Sequence, residues 1–244
     1  MRLAAVAVVA AAALAACHPQ PRRGPYGDAP DAPYRLDDDE DRGEQRDQLA
    51  ALALDDPDRP ALRKTLATAV GARIDDEVGR GRLRRAHRYA LELLELWRDD
   101  PAKLAAEGAA LVPVLTRARD KFARAGVDDA ALVVLVALAE ADPGGRARWL
   151  GEVDEVLVYA DDLARAQNGD DAVRARSIPA LAPIVKVFPV AWLVDRYVEL
   201  VTARQIAVNA LLMRNGATIE LVQAHHDVLE ASHQIAGALA RGGR

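Results

Sequence analysis

The sequence predicts an all-α body, and two observations carry that prediction. Apolar residues recur at intervals of three and four through most of residues 61–240, the spacing that lines one face of a helix. Between those stretches stand Gly-Arg-Gly, Asp-Pro and Asn-Gly, which stop helices and turn the chain. The expected architecture is antiparallel helix pairs stacked side by side, with a helical C-terminal cap.

The N-terminus comes first. Met1-Arg2 is a short positive segment, and residues 3–16 are only Ala, Val and Leu. A bilayer-spanning helix needs about 20 apolar residues. A run of this shorter length, ended by a polar Pro-rich stretch, has the form of a secretory signal peptide over residues 1–16. Cys17 follows directly and is the sole cysteine of the 244 residues. Leu14-Ala15-Ala16-Cys17 resembles the bacterial lipobox, Leu-(Ala/Ser)-(Gly/Ala)-Cys, at every position. The resemblance implies a diacylglyceryl thioether on Cys17, cleavage before it and acylation of the new amine. Several acyl chains hold a protein to a membrane durably, where one is marginal. An ordinary Ala-x-Ala cleavage site at Ala13-Leu14-Ala15 is the alternative. By the same resemblance, His18 stands where an Asp retains many such proteins in the inner membrane, so the expected location is the cell outer membrane.

His18 to about Asp47 carries Pro19, Pro21, Pro25, Pro30 and Pro33, then the acidic run Asp37-Asp38-Asp39-Glu40-Asp41. With Leu36 its only large aliphatic before residue 49, the segment buries too little to fold alone. Residues 17–47 are therefore read as a lipidated Cys and disordered tether, reaching on the order of 30 Å root-mean-square. The acids are read as a solvated, self-repelling stretch and not as a cation site.

Lys+Arg total 32 and Asp+Glu 37, a mildly acidic balance that offers nothing to nucleic acid. Lys64, Lys103, Lys121 and Lys186 are the only lysines. The arginine excess is the codon bias of a high-GC genome and carries no anion-site signal. One cysteine permits no intramolecular disulfide, so an exported body must rest on its apolar core.

The body begins with a short helix expected from about Glu44 to Leu54. Pro57 and Pro60 interrupt it. A helix from Ala61 to about Val78 follows, then the turn Gly79-Arg80-Gly81. The next helix, Leu83 to Trp97, is expected to bury Leu83, Ala86, Ala90, Leu93, Leu94 and Trp97. Asp99-Asp100-Pro101 reads as a stop and a capped restart. Residues 102–125 are expected to be helical with a kink near Pro113.

Residues 112–145 then fall into a frame of helix, turn and helix. Leu115, Ala118 and Phe122 take the core positions of the first helix, Gly126 the turn, Ala131, Leu135 and Leu138 the second helix, and Asp142-Pro143 the close. This resembles a tetratricopeptide repeat, a unit of helix–turn–helix. Arg119 departs from the pattern, which has Gly or another small residue there. Val70, Gly81, Ala86, Ala90 and Leu93 follow the frame more loosely, and Trp149 begins a third partial copy. The resemblance covers roughly residues 67–168, and residues 48–168 are read as a short tetratricopeptide-like solenoid, the alternative being an unrelated helical array. It implies a surface for partner proteins, with Thr116, Asp120 and Arg124 as the candidate groove.

Residues 169–244 form a separate C-terminal region. It opens on the turn at residues 168–171. Ile178 to Val194 is apolar with Pro179, Pro183 and Pro189, too short and broken to span a membrane, and reads as short buried helices or a docking face. A long helix from about Val190 to Met213 ends at Asn215-Gly216, where glycine suits a left-handed cap. The last helix, about Thr218 to Ala240, lines Leu221, Val228, Ile235 and Leu239 along one face and is expected to cap the array.

Chemistry is sparse. His226, Glu230 and His233 lie within about 60° of one another on that last helix. Glu230-x-x-His233 has the spacing of half a helical-bundle metal site, but no second half occurs in the sequence, so it is only a weak candidate and no metal or other cofactor is expected. His225 faces the apolar stripe, and His87 lacks a ligand-spaced partner. Serine in the body is limited to Ser177 and Ser232. Neither a phosphate loop nor a Gly-x-Ser-x-Gly turn occurs. Asp75-Asp76 and Asp161-Asp162 point about 100° apart on a helix, unlike an acid/base pair. The function expected is a non-catalytic lipid-anchored envelope scaffold binding another envelope protein. The alternative is a metal- or small-ligand-binding lipoprotein using the His-rich last helix.

Overall fold

The computed structural model describes residues 40–168 and 177–242. Cys17, the lipobox residues Leu14, Ala15 and Ala16, the tether up to residue 39 and the turn at residues 169–171 lie outside the described residues. Within them the fold is all-α. The helices are α1 (Glu40–Ala51), α2 (Arg59–Gly79), α3 (Leu83–Glu95), α4 (Lys103–Glu107), α5 (Val112–Ala125), α6 (Asp128–Ala141), α7 (Arg146–Asn168), α8 (Ser177–Val187), α9 (Ala191–Asn215) and α10 (Ile219–Gly242). A single 3-10 turn, Ala109–Leu111, precedes α5.

Successive helices pack on one another: α2 on α3, α5 on α6, α6 on α7, α9 on α10. The pairs also stack, with α2 against α5 and α3 against α6. This is a helical-repeat arrangement of hairpins laid side by side. Tight turns make it possible. Gly81 has φ 73° and Gly126 φ 66°, a region that costs glycine nothing and a side chain about 1 kcal/mol or more.

The core centres on α6. Every residue from Ala130 to Ala139 is buried, and α6 touches α3, α4, α5, α7 and α8. A helix apolar on all sides must be enclosed on all sides. Its alanines and leucines favour the helix and offset Val133, Val134 and Val136, which do not; enclosure adds to what propensity supplies. All six residues expected to be buried along α3 and just beyond it, Leu83 through Trp97, are buried.

Four local features differ from the sequence-based expectation. First, the helix expected from about Glu44 to Leu54 runs from Glu40 to Ala51, so residues 40–43, read as tether, are helical. Leu49 is buried, and Arg46 reaches Glu95 at 2.9 Å and Glu92 at 3.7 Å on α3. These contacts with the body support a helix that its own composition does not. Second, the break in residues 102–125 falls at Gly108 and not at Pro113. Pro113 sits in the first turn of α5, where no N–H is needed. A Cβ on Gly108 would stand 2.6 Å from the Leu104 carbonyl oxygen and 3.0 Å from Ala141 Cβ. Third, α4 has no side-chain cap; Asp100 instead pairs with Lys103 at 3.0 Å. Fourth, Gly216 has φ 74° and ψ −178°, an extended positive-φ conformation open essentially to glycine alone, and not a left-handed cap.

The C-terminal region is divided between two jobs. Helix α8 covers α3, α6 and α7 with Ile178, Leu181, Ile184 and Val185 buried. It, and not the last helix, closes the array. Helices α9 and α10 form a hairpin packed on α8. The base of α9 is tied back by Trp192 Nε1 donating to Glu140 at 2.7 Å and by Arg196–Asp154 at 3.0 Å. Beyond that base, Val208 and Ala224 form a small core of their own with Ala207, Leu211 and Leu212. No helix among the described residues is long and apolar enough to cross a membrane.

Candidate functional site: a groove beside Trp149

A cavity of about 570 Å³ opens between α5, α6 and α7. Small residues shape it: Ala123 from α5, Ala131 from α6, Ala147 and Gly151 from α7. Its charged members are Arg119, Arg148, Glu152 and Glu155, so the rim carries both signs.

Trp149 stands behind two of the lining residues, Arg119 and Arg148. It is buried, and its Nε1 donates to Asp142 Oδ2 at 2.9 Å. The other oxygen of Asp142 accepts the Gly145 N–H at 3.1 Å. One carboxylate thus shapes the turn before α7 and orients the indole. Arg148 lies 4.4 Å and Arg119 5.4 Å from the Trp149 ring centroid, within cation–π range. Glu152 Oε1 accepts from Arg148 Nε at 3.0 Å, and Glu152 Oε2 is 3.4 Å from Arg119 Nε. Two guanidiniums therefore share one carboxylate and one aromatic ring. Arg119 is the position at which the repeat frame has a small residue. Its side chain spans from α5 to α7, and the cavity lies beside it.

The sequence-based groove residues stand next to this cavity. Thr116 Oγ1 donates to the Val112 carbonyl at 2.8 Å, and Arg124 Nε donates to the Asp120 carbonyl at 3.0 Å. Asp120 pairs with Arg119 at 2.9 Å. Thr116, Asp120 and Arg124 are satisfied largely by their own helix; the cavity takes Arg119 and Ala123 from α5.

The last helix places His226, Glu230 and His233 on its exposed side, with His225 half-buried. Among the described residues no group of three His, Cys, Asp or Glu side chains is placed to hold a metal ion. Glu230 instead reaches a second cavity of about 520 Å³ between α8, α9 and α10, where Lys186, Arg204 and Asp227 supply further charges. Tyr197 OH donates to Gln234 Oε1 there at 3.2 Å. Burial, with the Glu230 charge, pushes the Tyr197 hydroxyl up to about 12, so it remains a donor. His87 is half-buried on α3, and burial lowers its pKa to about 4; it is neutral at physiological pH.

Sequence reasoning missed the buried polar network under α2. Arg63 is 1% exposed and grips Glu107 with Nε at 2.7 Å and Nη2 at 2.9 Å. Trp97 Nε1 donates to the same carboxylate at 3.0 Å. Arg59, one turn earlier, donates to the Leu49 and Leu52 carbonyls at 2.9 and 2.6 Å and to Asp99 at 3.1 Å, closing the end of α1. The available signal was spacing: Arg59 and Arg63 share a stripe with Leu66, Val70 and Ile74. Attributing arginine to codon bias obscured it.

No protein-family model, curated protein or solved structure matches this chain.

Proposed function

We propose that this chain is a non-catalytic adaptor of the bacterial envelope, anchored by lipid on Cys17 and probing its surroundings from a tetratricopeptide-like body. The groove beside Trp149 carries the reading. Its volume of about 570 Å³ lies in the range of about 300–1,000 Å³ that binding clefts occupy. Ala123, Ala131, Ala147 and Gly151 line part of it, where a partner backbone can approach closely, and both charge signs are present to set register. The occupant is a short segment of another envelope protein with small side chains facing in and charges flanking them.

A photo-crosslinker at Gly151 tests this in intact envelopes. A Cβ at Gly151 meets nothing within 4 Å, so the probe fits the folded chain. A discrete adduct is expected, absent when the probe stands at exposed Lys64 and suppressed by Ala123→Phe. Equal labelling from both positions rejects the groove. The anchor is tested separately: a clickable fatty acid supplied to the cells labels the wild-type protein and not Cys17→Ala, and absence of label on the wild type refutes lipidation.

A second reading rests on the cavity between α8 and α10. Its mixture of two cations, two anions and the Tyr197 hydroxyl suits a small dipolar ligand, the alternative role for the last helix. Metal content of purified protein that is unchanged by His226→Ala and His233→Ala removes the metal form of this reading.

A further inference from the structure

The tip of the α9–α10 hairpin stands apart from the rest of the surface. From Gln205 to His226 the chain has one Arg and one Glu, Arg214 and Glu220, whereas 28% of the whole chain is charged. Met213 is 89% exposed and Ile219 88%, on either side of the Gly216 turn. Ile206 and Val222 are also exposed, at 67% and 54%.

The arrangement of these residues selects the occupant. At 100° per residue, Ile206 and Met213 lie on the side of α9 roughly 170° from the Ala207, Val208, Leu211 and Leu212 seam. Val222 and Ile219 lie on α10 roughly 125–175° from Leu221, Ala224 and Val228. The apolar residues therefore stand on opposite outer sides of a two-helix rod. One protein surface, or a second copy docked along one face, covers one set and leaves the other in water. A lipid surface entered end-on surrounds Met213 and Ile219, one from each side of the turn, while Ile206 stands about 15 Å back along α9.

We infer that this tip dips into the headgroup–acyl boundary of a bilayer. Neither helix crosses the membrane; the contact is interfacial, as for amphipathic anchors. It supplies a second membrane contact and sets the orientation of a body otherwise free on its tether. The inference rests on the proposed membrane location but not on the groove.

The test uses the full chain with Cys17→Ser and a single Ile219→Cys carrying an environment-sensitive fluorophore. Vesicles of phosphatidylethanolamine and phosphatidylglycerol are added. The expected result is a blue shift at 219, quenched by nitroxide-bearing lipid and lost with Met213→Asp. The same label on Leu54→Cys, an exposed apolar site far from the tip in sequence, serves as the control and stays unshifted. No shift at 219, or equal shifts at 219 and 54, overturns the inference. A shift that needs no lipid and rises with protein concentration also overturns it, in favour of a second copy. Because the reporter is local, these outcomes are separable from loss of the lipid anchor, which fatty-acid labelling of Cys17 reads independently.

Discussion

Replacing Glu107 by Ala is the sharpest single perturbation of this fold. Glu107 satisfies three donors: two from the 1%-exposed Arg63 and the Trp97 indole. Its removal strands a guanidinium inside the protein, a class of change that costs about 3–5 kcal/mol. The Trp97 N–H loses its partner as well, a group whose isolated penalty is about 1–3 kcal/mol and overlaps the first. A total near 4 kcal/mol is expected, equivalent to a fall of about 10 °C in Tm for a body of this size. Urea unfolding followed by far-UV circular dichroism measures it. Removing both charges in Arg63→Met with Glu107→Leu leaves no stranded charge, and that double variant is expected within about 1–2 kcal/mol of the parent. A cost below about 1 kcal/mol for Glu107→Ala alone, or a double variant as unstable as the single, refutes the assignment of a buried and mutually dependent pair.

Three further outcomes follow from the packing. His87 binds its proton more weakly folded, at about pH 4, than unfolded, at about 6.5. The stability it contributes is complete above pH 6.5 and is lost as pH falls toward 4, at about 1.4 kcal/mol per pH unit at most. Unfolding titrations between pH 6.5 and 5 should show this slope flattened in His87→Leu. Gly108→Ala drives a Cβ into the Leu104 carbonyl and Ala141 and is expected to cost about 1–3 kcal/mol, whereas Gly151→Ala, in open space, stays within about 0.5 kcal/mol; paired Tm measurements compare them. Asp142→Ala deletes both the Gly145 and the Trp149 hydrogen bonds, an expected loss of about 1–2 kcal/mol, with a shift in Trp149 fluorescence reporting the freed indole.

Helix identity was legible because burial on one face leaves a periodic imprint. Helices α2, α3, α9 and α10 begin and end within about two residues of the expected positions, the usual uncertainty of such boundaries. Gly81 and Gly126 mark the turns for a stereochemical reason that one residue expresses. Where contacts decide, the sequence was less informative. The acidic start of α1, residues 40–43, suggests a tether, yet the helix extends through it, held to the body by Leu49 and the Arg46 pairs to α3. Pro113 looks like a kink until Gly108 takes the break. The groove was expected on Thr116, Asp120 and Arg124. The cavity takes Arg119 and Ala123 from the same helix, and Arg119 reaches Trp149 and Glu152 on α7.

By itself the sequence determined that the body is all-α, that its helices come as short-turned hairpins, and that Ala131, Leu135 and Leu138 face the core. These are properties of single segments: period, composition and the φ that a turn requires. Only the tertiary structure decided that α8 rather than α10 closes the array. Only it joined Arg63 to Glu107 across 44 residues, and only it left the α9–α10 tip with apolar groups on both outer sides. These are properties of pairs distant along the chain, set by which surfaces meet, and one segment read alone does not contain its partner.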